Sequence, residues 1–320
     1  EIADIACAEE AGIAAFQVMG ARELLGNSSY RGLLAGELNF MDRLAAGFLC
    51  RRAFGDPFVL HGTKGRLKIT DVQDFAYILI APMIFYFTIW LIQQVQKSEC
   101  DYVLYPSRDA YLIEKLCSEI SRRQAEKFPE GEYFYTSRRA VMAACVWDAA
   151  DIYHVSRLDF WGSIHQMIQK RFHVETDSRA KELKAEDSKK LKFYLDKYCK
   201  EILEQCARER ANYIRYISQT GIPSHEKIAF IDFVAAGKVQ NGLEKLVPKE
   251  LLGFYFLRRE PDRGEIDREL QVNTFFPSKG AFEISLNVYK YYLFLEMILT
   301  SPEPTFDGIG DKGQILFMEE

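Results

Sequence analysis

Three short stretches of this chain hold side chains that can grip an anion and move a proton. Ser107-Arg108-Asp109 follows the apolar run Asp101–Tyr105, Ser137-Arg138-Arg139 follows Glu132–Tyr135, and Asp232 through Lys238 follows Lys227–Ile231. An arginine presents a planar fork of donors that matches two phosphoryl oxygens at once. Serine hydroxyls and the backbone N–H groups at helix starts add further donors. Asp109 and Asp232 are the groups that can exchange a proton, orient a sugar hydroxyl or hold a metal. The set suits a phosphate, a sugar phosphate or a nucleotide. Its binding side would be Ser107, Arg108, Ser137, Arg138, Arg139, Gly237, Lys238 and Gln240, and its reactive carboxyls Asp109 and Asp232. A purely structural use stays open beside this one. Asp109 pairing with Arg138 or Arg139 would tie two loops together, and the serines would then be turn formers.

For these stretches to meet, they must leave the same edge of one sheet. The signal strand–loop–helix recurs: Asp101–Tyr105 as strand, Pro106–Asp109 as loop and Ala110–Arg123 as helix, then Lys227–Ile231, Asp232–Gly237 and Lys238–Leu246. Glu132–Tyr135 and Leu252–Leu257 read as further strands. Strands alternating with helices predict a parallel sheet covered on both faces, with ligands beyond the strands' carboxyl ends. Residues 147–219 are helical and charged and read as an insertion, and 281–300 as a last helix. Upstream, the pattern predicts a helix over 2–11, a strand over Ile13–Val18, a connector, and a helix over 36–54 that stops at Gly55-Asp56-Pro57. The fold class expected is α/β: a Rossmann-like three-layer parallel sheet over 70–320 with a helical insertion at 147–219, preceded by a segment 1–35 and a helix and linker 36–69.

Composition narrows the function classes. Hydrophobic residues make up 48% and charged residues 27% of the 320, and the net charge is −5. That speaks against broad electrostatic binding to nucleic acid. The seven cysteines include no CxxC pair and the five histidines form no cluster with them, so reduced thiols in a cytoplasmic protein are expected. Phe75–Gln96 carries no charge and approaches the length of a membrane span. Pro82, the glutamines at 93, 94 and 96 and the strand that follows favour a buried helix, so no span is expected. His154, His165 and His173 have no matched acid partners in the sequence, and Trp90, Trp147 and Trp161 read as core or helix-contact residues.

Four segments resemble a known group. Leu104–Leu116, Tyr135–Ala140, Ile228–Gln240 and Glu296–Pro302 look like the region that follows the core domain in bacterial proteins of the haloacid dehalogenase (HAD) superfamily. Those proteins are often encoded with, or fused to, glycosyltransferases of surface-polysaccharide synthesis. Arg108, Asp109, Ser137, Arg138, Arg139, Asp232, Gly237 and Gln240 match the family pattern. Ala110 replaces a glycine, and Val234-Ala235 replaces a Gly-Trp pair. The opening Asp4-Ile5-Ala6-Cys7-Ala8 with Gly12-Ile13 resembles the tail of a HAD core, in which Asp4 matches a magnesium-holding aspartate. The nucleophile strand is not in this sequence, so magnesium is implied only with that missing part.

The resemblance implies an accessory or cryptic-transferase domain in cell-surface polysaccharide biosynthesis. It would bind a phosphorylated sugar or nucleotide at the Arg/Asp rim, with a glycosyltransferase as partner. The alternatives are a HAD-type phosphatase whose catalytic part precedes this chain, a non-enzymatic module docking a glycosyltransferase, and a phosphoribosyltransferase-like enzyme. For the last, the loop 233–238 lacks the second acidic residue and the Thr/Gly-rich cradle.

Overall fold

The computed structural model describes residues 2–318 except 16, 35, 38, 124–127, 159, 262–265, 277–287 and 289. The chain divides into two compact units, Glu1–Ile89 and Trp90–Glu320.

The first unit is helical. Helices α1 (Ile2–Glu10), α2 (Ala21–Asn27) and α3 (Phe40–Ala53) are joined by irregular segments. Its core gathers Leu24, Leu25, Leu49, Phe54 and Ile78, with the Phe48 and Tyr77 rings edge to face at 5.0 Å. Among the described residues of Ile13–Val18 the expected strand does not form. Ile13 is 61% exposed, so no neighbour offers the ladder that would hold it extended. A short helix α4 (Val72–Phe75), capped by the Asp71 carboxylate, runs through a π turn (Ala76–Ile80) into α5 (Ala81–Lys97). The wide turn has a local cause. Pro82 has no N–H for the Ile78 carbonyl and its ring crowds that carbonyl, so the preceding turn opens to the five-residue spacing of Ala81 N to Ala76 O. Val72–Lys97 is long and apolar enough to cross a membrane by length and composition, and 33% of its most apolar window is buried.

The second unit is built on a five-stranded, all-parallel sheet in the order β2-β1-β3-β4-β5. The strands are β1 (Tyr102–Pro106), β2 (Glu130–Phe134), β3 (Ile228–Ala235), β4 (Leu251–Arg258) and β5 (Val272–Phe276). Leu104, Phe134, Phe230, Leu251 and Tyr255 face one way, onto helices α7 (Arg138–Ala144), α11 (Cys199–Ile217) and α12 (Lys238–Leu246). The alternate residues face the other way. There Phe233 stacks on Phe256 at 4.2 Å, Trp90 packs edge-on against Phe254 and Phe275, and α6 (Tyr111–Arg123) covers β1 and β2. Each of these large side chains contributes about 1.5–3 kcal/mol on burial. The sheet is therefore the rigid part from which loops project.

Between β2 and β3 lie α7, α8 (Ala149–Ser156), α9 (Ile164–Phe172), α10 (Ser188–Lys197) and α11, with a core of Ile152, Ile164, Met167, Phe172, Ile202 and Cys206. After β5 come α13 (Tyr292–Leu299) and an antiparallel hairpin, β6 (Phe306–Ile309) and β7 (Ile315–Phe317). The early part of the helix expected over 281–300 lies outside the described residues. One tryptophan departs from expectation, Trp161, which is 87% exposed, whereas Trp147 lies at the surface against α11, its ring centroid 3.7 Å from the Arg210 guanidinium.

Candidate functional site

The sheet opens at one place. β1 pairs with β2 as far as Pro106–Phe134, and β3 pairs with β4 as far as Ala235–Arg258, but β1 and β3 part after Leu104–Phe230. Pro106 explains the parting. The next residue's N–H turns to β2, where Ser107 N donates to Phe134 O (2.8 Å), so the Pro106 nitrogen faces β3 and has no hydrogen to give. The chain also reverses its direction of growth here, β1 continuing to β2 on one side while β3 leads to β4 on the other. That is where open α/β sheets hold their ligands.

A cavity of about 180 Å³ fills this opening, with Phe230, Pro106 and Val234 among its walls. It falls below the ~300–1,000 Å³ of pockets for drug-sized ligands, so it fits the end group of a ligand rather than the whole. Four basic side chains, Arg108, Arg138, Lys238 and Arg259, line it against two carboxyls, Asp109 and Asp232.

Each group is set by local chemistry. Ser107 zips the first two loops together: its Oγ donates to Thr136 O (2.9 Å) and accepts from Thr136 N (3.2 Å). Arg108 has φ of 72°, which costs a non-glycine residue about 1–3 kcal/mol. That conformation is fixed from both sides, since Arg108 N donates to Tyr133 Oη (2.6 Å) and Ser301 N donates to Arg108 O (3.2 Å). Its guanidinium donates to Thr305 Oγ1, and its buried Nε has no partner among the described residues. Ser137 caps α7, its Oγ accepting from Ala140 N (3.1 Å). Arg138, the first residue of α7, is exposed at the cavity and makes no hydrogen bond or ion pair with the described residues.

The carboxyls are held differently. β3 runs on through Ala235, so Asp232 is a strand residue, where the sequence suggested the start of a loop. It faces the same way as Phe230 and is 8% exposed. The one hydrogen bond of its carboxyl among the described residues is from Phe233 N to Oδ1 (2.8 Å). Burial and the nearby Asp109 carboxylate push its pKa well above the usual carboxylate range, against the pull of Phe233 N and Arg138. Burial also raises Asp109, while Arg108 and Arg138 draw it down. Glu296 of α13 joins them: burial and the Asp109 charge push it up to about 7, against Arg259 and Arg138.

Three residues expected at the site do other work. Arg139 points away from the cavity into a closed cluster. Its guanidinium pairs with Glu209 (2.8 Å) and Asp307 (3.1 Å) at 9% side-chain exposure. His173, read from the sequence as lacking acid partners, completes that cluster, with Nδ1 3.0 Å from Glu209 and Nε2 3.1 Å from Asp307. Those two carboxylates raise its pKa to about 9. Gln240 is fully buried: its Nε2 donates to Leu251 O (2.7 Å) and its Oε1 accepts from Tyr255 Oη (2.6 Å), locking α12 to β4. Gly237, at φ of 96°, begins α12 where a Cβ would lie 2.6 Å from Leu270 Cδ1, so packing explains it. Asp4 stands exposed on α1, and among the described residues no group of three or more His, Cys, Asp or Glu side chains is placed to hold a metal ion.

Arg259, Glu296 and Thr305 belong to the site and were not read from the sequence. Glu296 lies in a segment that carries the resemblance, which was its one signal; Arg259 and Thr305 had none. No protein-family model matches the chain, and no curated protein matches it. The family resemblance therefore stands on the motif residues themselves.

Proposed function

We propose that the cavity between β1 and β3 binds the phosphoryl group of a phosphorylated sugar or nucleotide. The observation that carries this is Arg138: an arginine at the sheet's opening, beside two other arginines and a lysine, that makes no hydrogen bond or ion pair with the described residues. Arg108 supports it from the neighbouring loop, where its backbone is fixed from both sides and its side chain lines the same cavity. Three arginines, Arg108, Arg138 and Arg259, stand against carboxyls that resist full ionisation, which favours an anion at neutral pH. The wider role that goes with this reading is an accessory or cryptic-transferase part in cell-surface polysaccharide assembly; it rests on the motif resemblance.

The test is calorimetric titration with glucose 1-phosphate and with UDP. Binding of either probe is expected, and Arg138→Ala should weaken it by about 1.5–3 kcal/mol, the range for a hydrogen bond to a charged group. No binding of either probe, or equal affinity in the variant, contradicts the reading.

A further inference from the structure

The carboxyls opposite the cations carry an inference that rests on the phosphoryl-site reading. Asp109, in the loop after β1, and Asp232, within β3, line one cavity. Neither is tied up. Asp109 makes no side-chain hydrogen bond with the described residues, and the Oδ2 of Asp232 likewise has none. An internal ion-pair lock would instead pair Asp109 with Arg138 within 4 Å, as Arg139 is paired with Glu209 and Asp307. An unpartnered carboxyl oxygen on a residue 8% exposed, at a cavity wall, is a group waiting for a partner from outside the chain.

The charges that face this pair come from every element packed around it. Arg108 lies on the same loop as Asp109, Arg138 on α7, Lys238 on α12, and Arg259 just after β4; Glu296 faces it from α13, and the Tyr255 hydroxyl from β4. Two close carboxyls withdrawn from water do not both ionise readily and titrate as a unit. Glu296 strengthens that resistance, and the arginines weaken it.

We propose that the site takes up its phosphoryl group together with a proton, which the Asp109–Asp232 pair holds and offers from the free oxygen of Asp232 to a phosphoryl oxygen of the ligand. The bound anion adds negative charge beside the pair, so the complex keeps the proton more firmly than the free protein does. Burial and mutual repulsion already hold that proton near neutral pH. The sign follows: the complex binds more protons than its parts, so affinity falls as pH rises, toward about tenfold per pH unit where only the complex is protonated. The proton moves between carboxyl and phosphoryl oxygens; no other bond is made or broken.

The experiment titrates glucose 1-phosphate into the wild-type chain and into Asp232→Asn at about pH 7.5 and about pH 9, where the probe is already a dianion. Each titration is run in two buffers of different ionisation enthalpy. Wild type should take up only a fraction of a proton per ligand at about pH 7.5 and close to one at about pH 9, and lose affinity about tenfold across the interval. Asp232→Asn, whose amide still donates, should bind with no proton exchange and a flat pH profile. Wild-type binding without proton exchange overturns this inference and leaves the phosphoryl site standing. No binding by either protein at either pH overturns the phosphoryl site and this inference with it. Should Asp232→Asn not fold, the carboxyl-carbon resonances of the wild-type chain decide. An aspartate midpoint above about pH 7 supports the shared proton, and all aspartate midpoints below about pH 5 overturn it.

Discussion

Arg138 and Arg139 are neighbours at the start of one short helix, and they meet opposite fates. Consecutive residues stand about 100° apart around a helix axis. Arg138 therefore opens onto the cavity, whereas Arg139 turns inward to Glu209, Asp307 and His173. On Arg139's side two cations meet two anions. The cluster ties α7 and α11 to the β6–β7 hairpin, whose approach carries Thr305 to Arg108. On Arg138's side the Arg138 guanidinium, the Asp109 carboxyl and the Oδ2 of Asp232 make no hydrogen bond or ion pair with the described residues. A charge close to a site is thus no evidence of a role in it; the number of internal partners separates scaffold from binding group.

The sharpest way to break this comparison is Arg139→Ala. Removing one member of a buried, paired cluster leaves carboxylates without their partner, and we expect a loss of about 3–5 kcal/mol in urea unfolding. A loss under about 1 kcal/mol would erase the distinction between the two arginines. Arg138→Ala should do the reverse: stability within about 0.5 kcal/mol of wild type by the same unfolding assay, with the affinity loss confined to the phosphorylated probe.

The two sides also differ in their pH response. Asp232 has its pKa raised in the folded state, so its contribution is fully present below the unfolded value of about 3.9 and is lost as pH rises through the folded midpoint. Asp232→Asn removes that slope and should gain about 1–2 kcal/mol of stability at about pH 8, read from unfolding curves across the range. His173 is also raised, to about 9, so its contribution is present below about pH 6.5 and is lost as pH rises through that midpoint. Being partly exposed it is screened, and His173→Gln should flatten the unfolding profile over that window by about 1 kcal/mol.

Much of the frame was legible in the chain. β1, β3 and β4 are rich in Val, Ile, Leu, Phe and Tyr, the mark of strands buried on both faces, and the segments after β1, β2 and β3, with Asp232 of β3 itself, bring Arg108, Asp109, Arg138, Asp232 and Lys238 to one rim. β5, Val-Asn-Thr-Phe-Phe, mixes polar with apolar residues and is only half-buried, so no period marks it. β6 and β7 are four and three residues long, too short for any pattern. Arg139 and Gln240 could not be sorted from the binding set because their partners lie far along the chain or in a neighbouring strand, at Glu209, Asp307 and Leu251. Asp232 was taken for a loop residue because a carboxylate inside a buried strand breaks the apolar run. That break is the mark of a residue kept for chemistry rather than packing.

The most direct measurement is a crystal structure of the chain with glucose 1-phosphate. The account predicts the phosphoryl group in the opening between β1 and β3, within hydrogen-bond distance of Arg138, with Arg139 still held by Glu209 and Asp307. A phosphoryl group bound elsewhere, or a closed opening in which Arg138 is paired with Asp109, would contradict it.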